Sequence, residues 1–510
     1  MRIAVFADIH LGDSKRTPQR AALAWAVREI ERCGADAAAV AGDLTACGSM
    51  YAAMRAKKLL RGVKVPLLTV PGNSDLRTPE TAPVMERLWL TPEEGMCVGG
   101  VRVLGVDTAR GTIDERERVR MEAIDASLPL ILVSHQADTH VDADSRAYLA
   151  DFLRRRNVLA WFTGHVHARV DTVFAGTRCL APRALDPDKC GGGLPELLVL
   201  DTETGALESR VFDESLPCRW PWEKREALIE SLGISLYSLK EDLAFCVENR
   251  VPHMEMRGVT EADAETRALL ATWRKNGGWT LSQHLTKLGW DAEKGCVSGV
   301  EKFRAVVRTA LECGADMATV HPPEETVETM SVGSPAFSAL ADAMAEEMRP
   351  LARAGVRIVV ENNHTAAGTG ANPALRRFGC TPFEILAWRD EMNRRLGGNA
   401  CGLRLDVGHA RNNAPITESC PLGEWYAQIG GLADAYHLHQ TVLDAQGKMH
   451  NHYPITGLDD GLVSFHGFLW AWRTGVLRHS PVILEIREDH GAPSTWLRLR
   501  ALLNGEETGA

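Results

Sequence analysis

The sequence predicts an α/β protein of two domains. Two observations carry the prediction. Short apolar runs, each ending in a turn and a side chain able to bind metal, recur along both halves, with amphipathic stretches between them. At 510 residues the chain is also too long for one ordinary hydrophobic core. The expected division is residues 1–215 and 225–510, with a connector at 216–224.

The first run, Arg2-Ile3-Ala4-Val5-Phe6-Ala7, reads as a buried strand and leads into Asp8-Ile9-His10. Residues two apart on a strand point to one side, so Asp8 and His10 can reach a single ion. A helical stretch, Gln19 to Cys33, carries Leu23, Val27 and Ile30 on one face. Ala37–Ala41 then runs into Gly42-Asp43. A second helical stretch, about Ser49 to Arg61, is followed by Val65–Val70 and Pro71-Gly72-Asn73-Ser74-Asp75. Leu130–Ser134 ends at His135, and Val158–Thr163 ends at Gly164-His165-Val166-His167. In open α/β sheets, sites form at the carboxyl ends of strands, and each of these side chains falls there. Glu196–Leu200 and Leu207–Phe212, split by Asp201-Thr202-Glu203-Thr204-Gly205, predict a β-hairpin. The loop Lys189–Gly193 before it is either a solvent loop or a phosphate contact.

The ligand chemistry of this half is coherent. Asp8, Asp43, Asn73, His10, His135, His165 and His167 form a mixed nitrogen and oxygen set suited to Mn, Fe or Zn. Asp43 is the natural bridging carboxylate, and two ions would clamp a phosphoryl group between them. These five blocks resemble the calcineurin-like metallophosphoesterases, an α/β sandwich family. The resemblance implies one metal on Asp8, His10, Asp43 and His167, and a second on Asp43, Asn73, His135 and His165. Asn73, Ser74 and His135 are the expected catalytic residues. One departure stands out. The family has His after the Asn, where this chain has Ser74. A hydroxyl can hydrogen-bond phosphate, but it cannot serve as a general acid near neutral pH.

Leu216–Trp222 is a connector with Pro and Trp, expected to pack rather than hang free. Beyond it come eight strand candidates: Ile234–Tyr237, His253–Met256, Trp279–Gln283, Met317–Val320, Arg357–Val360, Gly402–Leu405, Ala435–Leu438 and Pro481–Ile486. Amphipathic stretches separate them, and eight such units are the size of a (β/α)8 TIM barrel. Glu255, His284, His321, Glu361, Asp406, His437 and Glu485 lie at or just past the ends of strands two to eight, the face where barrel active sites sit.

This half resembles the xylose-isomerase-like barrels, through Thr319-Val320-His321-Pro322, Val360-Glu361-Asn362, Leu405-Asp406-Val407-Gly408-His409, His437-Leu438-His439 and Ile483-Leu484-Glu485. The superfamily includes sugar-phosphate isomerases and epimerases as well as endonuclease IV. The epimerase type implies one divalent metal on Glu361, Asp406, His437 and Glu485, with Glu361 and Glu485 catalytic. The endonuclease type adds ligands at positions matched here by His284, His321, His409 and His452. Its Asp-x-His element is His450-Asn451-His452 here, and its following Gly-x-Gly is altered. Ser74, Glu255, His439 and His450 are the expected substrate contacts. His439 and His364 have the alternative of orienting other ligands.

The expected whole is a bifunctional enzyme with a small phosphorylated substrate. It would carry two divalent transition metals (Mn, Fe or Zn) in the first domain and one to three (Mn or Zn) in the barrel. A nucleic-acid repair nuclease is the alternative, because Ala7–Gly12 also resembles exonucleases of the SbcD type. A metal-dependent binding or scaffold protein is a third. The net charge of −10 speaks against duplex binding, which draws on Lys and Arg. No secretory leader or membrane-spanning run is visible, and the twelve cysteines are scattered, so a reduced cytoplasmic protein is expected. The sequence gives no oligomeric state.

Overall fold

The computed structural model describes residues 1–89, 93–365, 375–446 and 449–506. The chain forms two units. One holds Met1–Ser215 with Glu418–Glu424 and Ser464–Trp470, and the other holds Leu216–Thr417, Trp425–Val463 and Ala471–Ala510.

The first unit is built on two sheets. Its strands are β1 (Arg2–Phe6), β2 (Ala37–Ala41), β3 (Leu67–Val70), β4 (Met96–Val98), β5 (Val101–Val106), β6 (Leu130–Ser134), β7 (Val158–Phe162), β8 (Val170–Phe174), β9 (Thr177–Ala181), β10 (Glu196–Asp201) and β11 (Leu207–Val211). One sheet has the order β11-β10-β1-β2-β3 and the other β4-β5-β6-β7-β9-β8. Alternate residues of each face the shared core: Ile3, Val5, Ala37, Ala39, Leu68 and Val70 from the first, Val103, Ile131, Val133, Ala160 and Phe162 from the second. Full burial of each large aliphatic side chain contributes about 1.5–3 kcal/mol. Helices cover the outer face of the second sheet, where Leu104, Leu132 and Trp161 meet Leu149, Phe152 and Leu153. The arrangement is an α/β sandwich. β10 and β11 form the expected antiparallel hairpin. The pattern of ligand-ended strands does not single out β4, β5, β8 or β9, because no ligand marks their ends.

In the second unit the strands are β12 (Leu232–Ser235), β13 (His253–Arg257), β14 (Thr280–His284), β15 (Gly289–Asp291), β16 (Cys296–Ser298), β17 (Met317–Val320), β18 (Arg357–Glu361), β19 (Cys401–Asp406), β20 (Ala433–Leu438), β21 (Gln440–Leu443), β22 (Met449–Tyr453) and β23 (Val482–Leu484). Eight of them, β12-β13-β14-β17-β18-β19-β20-β23, close into a parallel barrel, with β23 paired back to β12. This is the expected TIM barrel. Its helices start where the sequence supplies caps. Ser334 accepts from Phe337 N ahead of Pro335, and Thr381 accepts from Glu384 N ahead of Pro382. The remaining strands make two hairpins, β15–β16 and β21–β22, that the sequence pattern does not announce. In the connector, Trp220 is buried and Trp222 exposed.

Candidate metal centres

The first centre is assembled from loops that leave the carboxyl ends of β1, β2, β3, β6 and β7. Asp8, His10, Asp43 and His167 bring one ligand atom each within 4.8 Å of the others. His10 Nε2 lies 3.1 Å from His167 Nε2 and 3.8 Å from Asp43 Oδ2. Beside them, His135 Nε2 and His165 Nδ1 each lie 2.9 Å from Asn73 Oδ1, and His135 Nε2 lies 3.4 Å from Asp43 Oδ1. Asp43 therefore faces both groups.

The backbone is bent to do this. Asp8, His10, Asp43, His165 and His167 have φ of 56°, 48°, 50°, 72° and 58°. Each is a left-handed conformation that costs a side-chain-bearing residue about 1–2 kcal/mol. The loops are tied down by hydrogen bonds. Asp8 N donates to Gly42 O, His10 N to Asp43 O, and His165 N to the Asp8 carboxylate. Asp75 accepts from Thr45 N, Thr45 Oγ1 and Gly72 N, which joins the second loop to the third. At Gly72 a Cβ would stand 2.3 Å from Asp43 N, so only glycine lets the loops approach this closely.

The donor set fits cations. His135 Nδ1 donates to Ala41 O at 2.9 Å, which turns the Nε2 lone pair toward Asn73 Oδ1. Two acceptors then meet where a positive charge belongs. His10 Nδ1 is buried without a hydrogen-bond partner among the described residues. Burial, then the charge of Lys189, holds His10 well below its ordinary value, and burial takes His165 down to about 4. Both are neutral imidazoles at physiological pH, the form that binds metal. Burial, then the charge of Asp43, pushes Asp8 up, against the opposing charge of His135.

Ser74 is 1% exposed, and its N and Oγ each donate to an Asp43 oxygen at 2.8 Å. Its place is therefore on Asp43, the carboxylate that faces both groups. His140 did not emerge from sequence. The His140 ring lies 4.7 Å from that of His165.

The barrel centre sits at the carboxyl ends of its strands. Glu361, Asp406, His437 and Glu485 form one buried group, and His284, His321 and Glu361 form another. Glu361 is common to both. His437 Nδ1 lies 3.0 Å from Glu361 Oε1, 2.9 Å from Glu485 Oε2 and 3.8 Å from Asp406 Oδ2. His284 Nε2 lies 3.2 Å and His321 Nε2 3.6 Å from Glu361 Oε2. Among the described residues, Glu361 Oε2, Asp406 Oδ2, Glu485 Oε2 and His284 Nε2 are buried without a well-aligned hydrogen bond, and all four face this space. Such atoms are costly unless a cation takes their lone pairs. Burial holds His321 well below its ordinary value, which keeps it neutral.

Glu255 is fully buried beneath the quartet rather than at the open mouth. It accepts from His437 Nε2 at 2.8 Å, Ser282 Oγ at 2.8 Å and Thr319 Oγ1 at 2.6 Å, and it pairs with buried Arg404. Carboxylates of this kind fix the orientation of a ligating imidazole. Sequence reasoning missed Arg404. Its position two residues before Asp406 places both on the inner face, a signal that parity offers.

A third group unites His409, His439 and His452. His409 Nδ1 donates to Asn362 O at 3.1 Å and His452 Nδ1 to Glu485 O at 3.1 Å, so their Nε2 atoms point inward. His439 thus lies with the ligand-type histidines. Its approach requires Gly408, where a Cβ would stand 2.1 Å from the imidazole Cε1. His364 packs its ring 4.8 Å from that of His409. His450 belongs to none of these groups and lies 2.8 Å from Asp444 on the β21–β22 hairpin. The left-handed backbone at His452, φ 65°, interrupts the alternation that links it to His450.

The first ligand cluster lies in the α/β sandwich, and the others lie at the carboxyl ends of the barrel strands. The chain belongs to the xylose isomerase-like TIM barrel family, whose model matches residues 246–504, and a calcineurin-like phosphoesterase model matches residues 1–169. No curated protein matches it significantly. Among solved structures, it is similar to a D-tagatose 3-epimerase-like protein at 17% identity and TM-score 0.39, over 54% of this chain and 97% of that one. A dimetal phosphatase from Danio rerio matches at 12% identity and TM-score 0.32, over 39% and 91%. A protein from Thermus thermophilus, soaked with ZnCl2, matches at 20% identity and TM-score 0.36, over 55% and 100%. Among the described residues no helix is long and apolar enough to cross a membrane.

Proposed function

We propose that the chain is a bifunctional metalloenzyme. Its first domain hydrolyses a phosphoester of a small metabolite. Its barrel acts on a sugar or sugar phosphate by isomerase- or epimerase-like proton transfer. The observation that carries the reading is the convergence, in each domain, of buried acceptor atoms on a shared carboxylate, Asp43 in one and Glu361 in the other.

In the first domain, Asp8, His10, Asp43 and His167 would hold one divalent ion, and Asp43, Asn73, His135 and His165 a second. Bound ions would polarise the phosphoryl oxygens and lower the pKa of a bound water. The chain's own task is orientation. The Ala41 carbonyl fixes the tautomer of His135, and Ser74 fixes both oxygens of Asp43. In the barrel, Glu361, Asp406, His437 and Glu485 would hold one ion, with the histidine groups open to one or two more. Glu361 and Glu485 both approach His437 Nδ1 as buried carboxylates. They are suited to take a proton from a carbon beside a carbonyl and to return one.

A second reading, an endonuclease IV-like barrel in a repair nuclease, is favoured by the groups around His321 and His409.

Elemental analysis of the purified chain tests the common premise, and substrate panels separate the readings. The expected result is turnover of p-nitrophenyl phosphodiesters or monoesters together with interconversion of ketoses or their phosphates. Cleavage of duplex DNA at abasic sites, without either activity, would establish the second reading. A metal-free protein with neither activity would leave a scaffold.

A further inference from the structure

We propose that Arg257 and Arg487 form an anion subsite at the barrel mouth that seats a phosphate group of the barrel's substrate. The proposal rests on the sugar-phosphate reading of the barrel and narrows it.

Arg257 is the last residue of β13 and pairs in register with His284 at the edge where the ligand groups collect. Arg487 lies just beyond β23, two residues after Glu485. Both guanidinium groups converge on one oxygen. Arg257 Nη1 contacts Glu485 Oε1, and Arg487 Nη2 lies 3.4 Å from the same atom. The other oxygen of Glu485 lies 2.9 Å from His437 Nδ1, among the metal-ligand atoms. A single carboxylate therefore faces two guanidinium groups on one side and the metal-ligand group on the other. Once that carboxylate shares its charge with a metal, the two cations are under-compensated.

The burial gradient shows which way they open. The Glu485 side chain is 1% exposed, Arg257 is 21% and Arg487 is 49%, so the pair leads from the centre outward. Two adjacent guanidinium groups repel each other, and the partial burial of Arg257 weakens the screening by water. Glu485 is the carboxylate that both guanidinium groups share. Lys287 and Arg377 offer the contrast. They share Glu324, with Arg377 Nη1 at 2.9 Å, and Glu324 belongs to none of the ligand groups, so it stays with its cations.

The fork of a guanidinium matches the oxygens of a phosphate, and two forks suit a phosphomonoester better than a neutral hydroxyl. A ketose phosphate would place its phosphate here with its carbonyl end toward Glu361 and Glu485. The same cations would contribute nothing specific to an unphosphorylated sugar.

The test uses the full chain loaded with Mn2+, in an Asp43→Asn background that suppresses hydrolysis of the probe. D-ribulose 5-phosphate and D-ribulose are titrated calorimetrically before and after Arg257→Gln with Arg487→Gln. Weakening of the phosphorylated probe by about tenfold or more, with D-ribulose changed by less than about twofold, is the expected result. Equal weakening of both probes, or of neither, overturns the proposal. Paired lysine substitutions should retain affinity for the phosphate probe within about threefold, which separates charge from folding. If the glutamine pair unfolds, half-exposed Arg487→Gln alone carries the test, with a loss of about threefold expected and no loss overturning the proposal. Elemental analysis of the same samples reads the metal separately. A barrel without metal defeats the proposed function, whereas a selective loss of the phosphorylated probe still sustains the subsite.

Discussion

Asp8, His10, Asp43, His165 and His167 all sit in left-handed backbone, with φ between 48° and 72°. In the barrel, by contrast, His284, Glu361, Asp406 and His437 lie within regular strands, and Glu485 follows directly on one. The first centre is therefore made by bending loops, and the second by aiming side chains from a closed sheet. Each pays in a different form. Loops store backbone strain, which Asp75 and close glycine contacts hold in place. Strand ends need no strain, but they crowd carboxylates in a dry interior, and a buried Arg404–Glu255 pair supports the imidazole among them. The first centre should thus be fragile toward changes in backbone and the second toward changes in charge.

The largest expected effect tests the charge side of that contrast. Arg404→Met leaves Glu255 buried without its cation, at a cost of about 3–5 kcal/mol. Denaturant unfolding of the full chain, followed through the barrel transition, should show the loss. Adding Glu255→Gln should return much of it, because the uncompensated charge is then gone. A single variant within about 1 kcal/mol of wild type would mean that the pair is not what holds His437.

Next is Asp43→Asn, which removes charge from the carboxylate facing both halves of the loop-built centre. Activity on p-nitrophenyl phosphodiesters should fall on the order of a hundredfold or more. Circular dichroism should stay unchanged, since the amide keeps the shape. Wild-type turnover in this variant would break the assignment of a shared ligand.

What the sequence made legible follows the same division. Residues that end strands announce themselves, because an apolar run stops at a turn and a His, Asp or Glu. Asp8, Asp43, His135, Glu361 and Asp406 are of this kind, as is the order of eight barrel strands. Strands without such endings, β4, β5, β8 and β9, stay hidden, although they complete the second sheet. Arg404 is hidden for another reason. It sits in a short strand that reads as apolar, and its partner Glu255 lies 149 residues away, so only the closed barrel brings them together. His439 and His450 look alike in sequence, and only the path of the β21–β22 hairpin separates them.

Two glycines sharpen the contrast at smaller cost. A Cβ at Gly72 would meet Asp43 N at 2.3 Å, which is backbone and cannot give way. A Cβ at Gly408 would meet the His439 imidazole at 2.1 Å, a side chain that can swing aside. Gly72→Ala should cost about 1–3 kcal/mol and most of the phosphoesterase activity. Gly408→Ala should cost less in thermal or denaturant stability and should act chiefly on metal content at the third histidine group. The reverse order would show that the loop centre is the more tolerant of the two.

The smallest effect concerns Ser74. Its hydroxyl donates to Asp43 Oδ2 and its backbone N–H to Oδ1, so the residue grips the shared carboxylate from the interior. Ser74→Ala removes only the first of these hydrogen bonds. The expected loss is about 1.5 kcal/mol, roughly tenfold in kcat/KM. The form of the loss carries more information than its size. If Ser74 positions Asp43, all aryl phosphodiesters should slow by the same factor, whatever the pKa of the leaving phenol. If it instead assists the departing oxygen, poor leaving groups should suffer more than good ones. A series of substituted phenyl esters, assayed with wild type and Ser74→Ala, distinguishes the two by slope. Parallel lines are expected, because a hydroxyl already committed to a carboxylate has no proton left to give.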